Sequence, residues 1–120
     1  MTNRTVTIHT TDRGPVTIPE PAWCLGEHVA DGYWIDITHS GPQEELDFRD
    51  EPLWILEVIT DPTVRDPARR LPRVYVQQTG FARTLDPAGL DALADALVEH
   101  AAVLRARAKE VAALVAAESE

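Results

Sequence analysis

One uninterrupted helical pattern at the end of the chain constrains this sequence more than any other feature. Twelve of the sixteen alanines fall in the last 36 of its 120 residues, from Leu85 onward, whereas eight of the nine prolines come earlier. No proline follows Pro87 and no glycine follows Gly89, so nothing beyond them breaks a helix. Asp86 can accept from the free amides of a first turn, Pro87 suits the first helical position, and Leu85 can pack from outside the cap. Apolar residues then recur at spacings of three and four, at Leu90, Leu93, Ala94, Leu97, Ala101, Leu104, Ala108, Val111 and Val115, while Asp91, Asp95, Glu99, Arg105 and Lys109 sit off that stripe. A helix from Pro87 to Ala117 would run about 45 Å, longer than the diameter of a compact chain of this size. The stripe therefore outruns what one small sheet can cover. Leu97, Ala101, Leu104, Ala108, Val111 and Val115 are expected to form an interface with a protein partner or a second copy, a homodimer being the simplest closure.

The residues before Leu85 follow another period. Thr5 to His9 alternates by two, Asp12-Arg13-Gly14-Pro15 has turn chemistry, and Val16 to Ile18 resumes the alternation, which predicts a β-hairpin. Pro19 and Pro21 are expected to stop its pairing, since proline lacks the ladder donor. Tyr33 to His39 alternates again and reads as a strand; Leu46 to Phe48, Leu53 to Ile59 and Val74 to Val76 are further candidates, with an exposed loop over Asp61 to Pro72. Trp23, Trp34 and Trp54 are expected to anchor the core. Together these predict an α+β fold in a single domain over 1–120. A mainly antiparallel sheet from residues 1–84 packs against the first half of a long C-terminal helix over 86–117.

Twenty acidic against eleven basic residues give a net charge of −9, which argues against a direct grip on nucleic acid or anionic lipid. The single cysteine, Cys24, excludes an intramolecular disulfide, and no apolar run approaches the roughly 18 residues of a membrane span. Met1 to Thr11 has no signal-peptide pattern, so the expected setting is soluble and cytoplasmic. The carboxylates Glu44, Glu45, Asp47, Asp50 and Glu51 suggest an alternative function, an acidic inhibitor or decoy that fills a basic groove on a nucleic-acid-handling protein.

Metal-ligand chemistry is concentrated in Trp23-Cys24-Leu25-Gly26-Glu27-His28 and Thr38-His39-Ser40-Gly41. A thiolate and two imidazoles suit zinc, and Gly26 would let the short loop bring Cys24 and His28 onto one ion. Glu20, Glu27, Asp31 or water could supply the fourth position, with Glu20 the chosen candidate. The bland alternative makes Cys24 a small buried hydrophobe and the histidines hydrogen-bonding loop residues. Other enzyme signatures are missing: there is no phosphate-binding glycine loop and no nucleophile elbow, so no catalytic residue is assigned. A mononuclear zinc hydrolase is a distant alternative, with Glu27 the nearest general base. The expected function is a noncatalytic interaction or regulatory module, zinc-stabilised and associating through its C-terminal helix.

The run Pro19 to Cys24 through His28, then His39-Ser40-Gly41-Pro42, and later Leu85-Asp86-Pro87-Ala88-Gly89-Leu90 resembles a small actinobacterial domain family of unknown function. The resemblance spans roughly residues 5 to 105 and rests on short motifs, a Trp-Cys-x3-His followed by a His-x-Gly. It maps onto Trp23, Cys24, His28 and His39. Some relatives carry a cysteine where this chain has Glu20, a departure that zinc tolerates. The resemblance implies no particular activity, but it strengthens the metal reading.

Overall fold

The computed structural model describes residues 4–118 and has the order β1 (Arg4–Thr10), β2 (Gly14–Glu20), a 3-10 turn (Trp34–Asp36), β3 (His39–Ser40), β4 (Glu44–Phe48), β5 (Glu51–Thr60), α1 (Pro67–Arg70), β6 (Arg73–Gln78) and α2 (Pro87–Glu118). It is an α+β protein with two sheets and a long C-terminal helix. β1 and β2 form one antiparallel ribbon; β3, β5 and β4 form the second sheet in that order, with β6 also paired to β5. The chain divides into two compact units, one of residues 1–42 and 57–74, the other of residues 43–56 and 75–120, and β5 contributes to both.

In the first unit, the alternation of β1 and β2 turns Ile8 and Ile18 inward, where they pack with Ile37 and with the partly buried Val6, Val16 and Trp34. Gly14 opens β2 at φ 64°, a left-handed conformation that glycine adopts without a Cβ clash. The ribbon does not stop at Pro19, which faces Thr5, and it runs on until Glu20 faces Arg4. A two-stranded ribbon has a free edge along each strand, where a missing N–H breaks no ladder bond.

The strand expected from Tyr33 to His39 is absent except for His39 and Ser40. Local bonds win over alternation here. The Asp12 carboxylate accepts from the Trp34 amide at 2.9 Å, and the Asp36 and Ile37 amides turn back onto the carbonyls of Tyr33 and Trp34. Tyr33 and Ile35 are consequently exposed while Ile37 and His39 are buried. The Asp61–Pro72 segment is likewise not wholly loop. Asp66 caps the short α1 through the Ala68 amide, Val64 is buried, and Asp61 gathers Arg69 and Arg73.

In the second unit, β4 and β5 join through Arg49 and Asp50, both at positive φ as a tight two-residue hairpin requires. The register slips between Leu46 and Asp47, leaving Leu53 as the extra residue of a bulge beside Pro52. The carbonyl of Leu53 accepts from the Thr79 amide at 3.1 Å. Helix α2 begins as its sequence predicts, with the Asp86 carboxylate accepting from the Gly89 amide at 2.8 Å. The face it turns to β4 is less apolar than expected. His100 is buried with Nε2 2.8 Å from the Asp47 carbonyl, and Arg107 makes a two-pronged bond to Glu44 at 2.6 and 2.7 Å. Three leucines of the stripe turn outward instead, Leu90, Leu97 and Leu104 being 57%, 45% and 44% exposed, while Leu93 is half-buried. Of the other expected interface residues, Ala108 is exposed and Ala101, Val111 and Val115 are half-buried.

Candidate metal centre

Four side chains of the first unit converge: Glu20 from the end of β2, Cys24 and His28 from the loop that follows, and His39 from β3. The loop is shaped by short-range bonds. The Cys24 amide reaches the Pro21 carbonyl at 3.0 Å and the Leu25 amide reaches the Ser40 carbonyl at 2.9 Å, which ties the loop to the strand carrying His39. Gly26 takes φ 80° and its amide lies 3.4 Å from Cys24 Sγ, so the chain doubles back and returns His28 to the cysteine. Trp23 rests on Gly41, where an added Cβ would stand 3.4 Å from the Trp23 carbonyl.

Each of the four residues offers one ligand atom, and these atoms all lie within 4.8 Å of one another. Glu20 Oε1 is 2.5 Å from His28 Nε2, 3.1 Å from Cys24 Sγ and 3.8 Å from His39 Nδ1, and Sγ is 3.9 Å from His28 Nε2. Zinc bond lengths of about 2.0–2.3 Å place tetrahedral neighbours about 3.3–3.8 Å apart, so a slight opening around Glu20 would admit the ion. Arg4 holds the carboxylate from behind. Its Nε donates to Oε2 at 3.0 Å and its guanidinium also reaches the Cys24 carbonyl at 2.6 Å, leaving Oε1 turned to the cluster. Sequence reasoning missed Arg4, which lies 16 residues from Glu20 and meets it only through the hairpin register.

The electrostatics favour a cation in the middle. Burial pushes the Glu20 carboxyl upward, yet bonds from His28, Cys24 and Arg4 outweigh it and hold the group at about 2. Burial lowers the His39 pKa, the charge of His28 lowers it further, and Glu20 and the Pro19 carbonyl pull the other way. Burial and the adjacent carboxylate raise the Cys24 pKa, against the lowering pull of the Gly26 and Ser40 backbone. His39 is the telling member. It is 2% exposed, and among the described residues neither ring nitrogen makes a hydrogen bond of good geometry, the Pro19 carbonyl and Glu20 Oε1 acting on the ring only from longer range. A buried imidazole with two unmet nitrogens is costly unless a ligand satisfies one of them. A thiolate and a carboxylate would also cancel the charge of a divalent ion, with the imidazoles neutral.

The cluster is closed. Glu20, Cys24 and His39 are buried and the His28 side chain is only 8% exposed. A pocket of about 380 Å³ lies against it, with His9, Glu27, Tyr33 and Asp36 in its wall, and of the four converging residues only His28 borders it. Glu27 is exposed and Asp31 lies at φ 62° in the exposed turn that leads to the Gly32–Thr10 bridge, so neither of these alternative ligands joins the cluster.

An α+β chain with a buried Glu-Cys-His-His cluster at a hairpin end is thus the class that fold and site define. The chain belongs to the family described as Domain of unknown function (DUF6907), which it matches over residues 5–113. No curated protein and no solved structure gives a significant match.

Proposed function

We propose that the protein is a noncatalytic interaction or regulatory module whose first unit is fastened by one zinc ion held by Glu20, Cys24, His28 and His39. The observation that carries this reading is His39, buried with two unpartnered nitrogens beside three further ligand atoms. Four protein donors in a buried setting favour a structural site over the mononuclear hydrolase, which needs a coordination position open to water. The ion would replace the close Glu20–His28 contact with metal bonds and pin the proline-flanked loop to β3.

The test is metal content of untagged protein purified without chelator, by inductively coupled plasma mass spectrometry, beside Cys24→Ser and His39→Gln variants. About one zinc per chain, strongly reduced in both variants, supports the reading, and a melting temperature that falls on chelation marks the role as structural. Folded wild-type protein that takes up no zinc, even after incubation with the ion, overturns it.

The acidic-decoy alternative has less support. Two of its five carboxylates are already engaged within the chain, Glu44 by Arg107 and Glu51 by Arg83. As for a membrane, no helix among the described residues is long and apolar enough to cross one.

A further inference from the structure

Helix α2 carries a heptad repeat whose three leucines remain exposed beside the packing on β4. Leu90, Leu97, Leu104 and Val111 recur every seven residues, and Ala94, Ala101, Ala108 and Val115 recur four places after each. These are the two seam positions of a coiled coil, with a large residue at one and a small residue at the other. The leucines are exposed, as is Val98 beside them at 72%. Along the edge of the same face the charges are segregated. Asp91 and Asp95 stand one turn apart in the first half, Arg105 and Lys109 one turn apart in the second, all four exposed.

That pattern is self-complementary in one direction only. When two copies lie parallel, acid faces acid and base faces base. Turned end for end about a two-fold axis at the level of residues 97–101, each acidic pair lies against the basic pair of the other copy. Alanines opposite leucines let the helices approach closely, and the antiparallel arrangement also sets opposite helix-dipole ends together. We infer that α2 joins two copies of this chain as an antiparallel helix pair through Leu90, Leu97, Ala101 and Leu104, flanked by Asp91–Lys109 and Asp95–Arg105 contacts. The inference deepens the reading of the protein as an interaction module by naming its partner, and it does not depend on zinc, whose ligands lie in the other unit.

The test uses the full chain in sedimentation velocity over a concentration series. Twice the chain mass is expected for the wild type, and Leu97→Asp with Leu104→Asp should weaken association by at least about a hundredfold, two tenfold steps of affinity. Both leucines are exposed, so far-UV circular dichroism of that variant should be unchanged. Reversing only the acids, Asp91→Arg with Asp95→Arg, should weaken pairing about tenfold. Adding Arg105→Asp and Lys109→Asp should restore it. Direction is read by electron-paramagnetic-resonance distances from a spin label at Ala88→Cys, with about 36 Å along the axis expected for antiparallel copies. A wild type that stays monomeric at high concentration, a dimer indifferent to Leu97 and Leu104, or labels within about one helix diameter of each other would each overturn the proposal. A monomer that still binds zinc would leave the metal reading standing, and a dimer without zinc would do the reverse.

Discussion

Glu20 sits where three demands meet: it caps the hairpin, takes the Arg4 guanidinium on one oxygen, and turns the other to Cys24 and His28. Its low pKa and the lowered pKa of His39 both mean that, without metal, the folded chain binds fewer protons than the unfolded chain on the acid side. Stability of zinc-free protein should therefore drop as the pH falls below the ordinary histidine value of about 6.5. It should drop again between 4.5 and about 2, where Glu20 is protonated in the unfolded chain before the folded one. Cys24 acts in the opposite sense. Its pKa is raised above 9.0, so its neutral form favours the fold and that contribution fades as the pH climbs past this value. Urea midpoints of zinc-free protein across the pH range would show both limbs, and a flat acid limb in wild type would contradict the assignment. Most of this cluster was legible in the sequence, because a thiol and two imidazoles within a short span announce their chemistry wherever the backbone goes. Glu20 was reachable by the same logic as a permitted oxygen donor. Arg4 was not, since nothing in a lone N-terminal arginine reveals which partner a strand register will bring to it.

At the scale of elements, α2 shows what periodicity does and does not convey. Its start and cap were readable from Asp86 and Pro87, and its running through Glu118, the last residue described, from the absence of later breakers. Which face packs does not follow from the apolar stripe, because β4 presents a carbonyl at Asp47 and a carboxylate at Glu44, to which His100 and Arg107 are better matched than leucine is. His100→Leu would keep the volume but strand the Asp47 carbonyl, at a cost of about 1–3 kcal/mol. A urea-melt comparison with wild type checks it, and a neutral result would mean that water satisfies the carbonyl as well as the imidazole does. The segment from Tyr33 to Ile37 failed for a related reason. Alternation records which residues are apolar, but it is blind to Asp12, 22 residues earlier, capturing the Trp34 amide and bending the chain.

For the molecule as a whole, the two units hold separate features: the cluster of candidate ligands lies wholly in the first and the long helix wholly in the second. Removing metal should then act unevenly. Hydrogen exchange measured with and without chelator should show lost protection within residues 1–42 and 57–74, above all in the loop after β2 and the His39 strand, while the amides of α2 keep theirs. Equal loss in both units would show that the metal holds the chain together globally. This division could not be read from composition, whose break at Leu85 falls inside the second unit, because units are set by long-range pairing along β5. The chain also has only one thiol, and it is buried. A thiol-reactive dye can reach Cys24 only when the loop between β2 and β3 swings open, so the labelling rate of native protein is a stopwatch on that opening, and the factor by which the proposed zinc ion would slow it measures how firmly such an ion latches the loop.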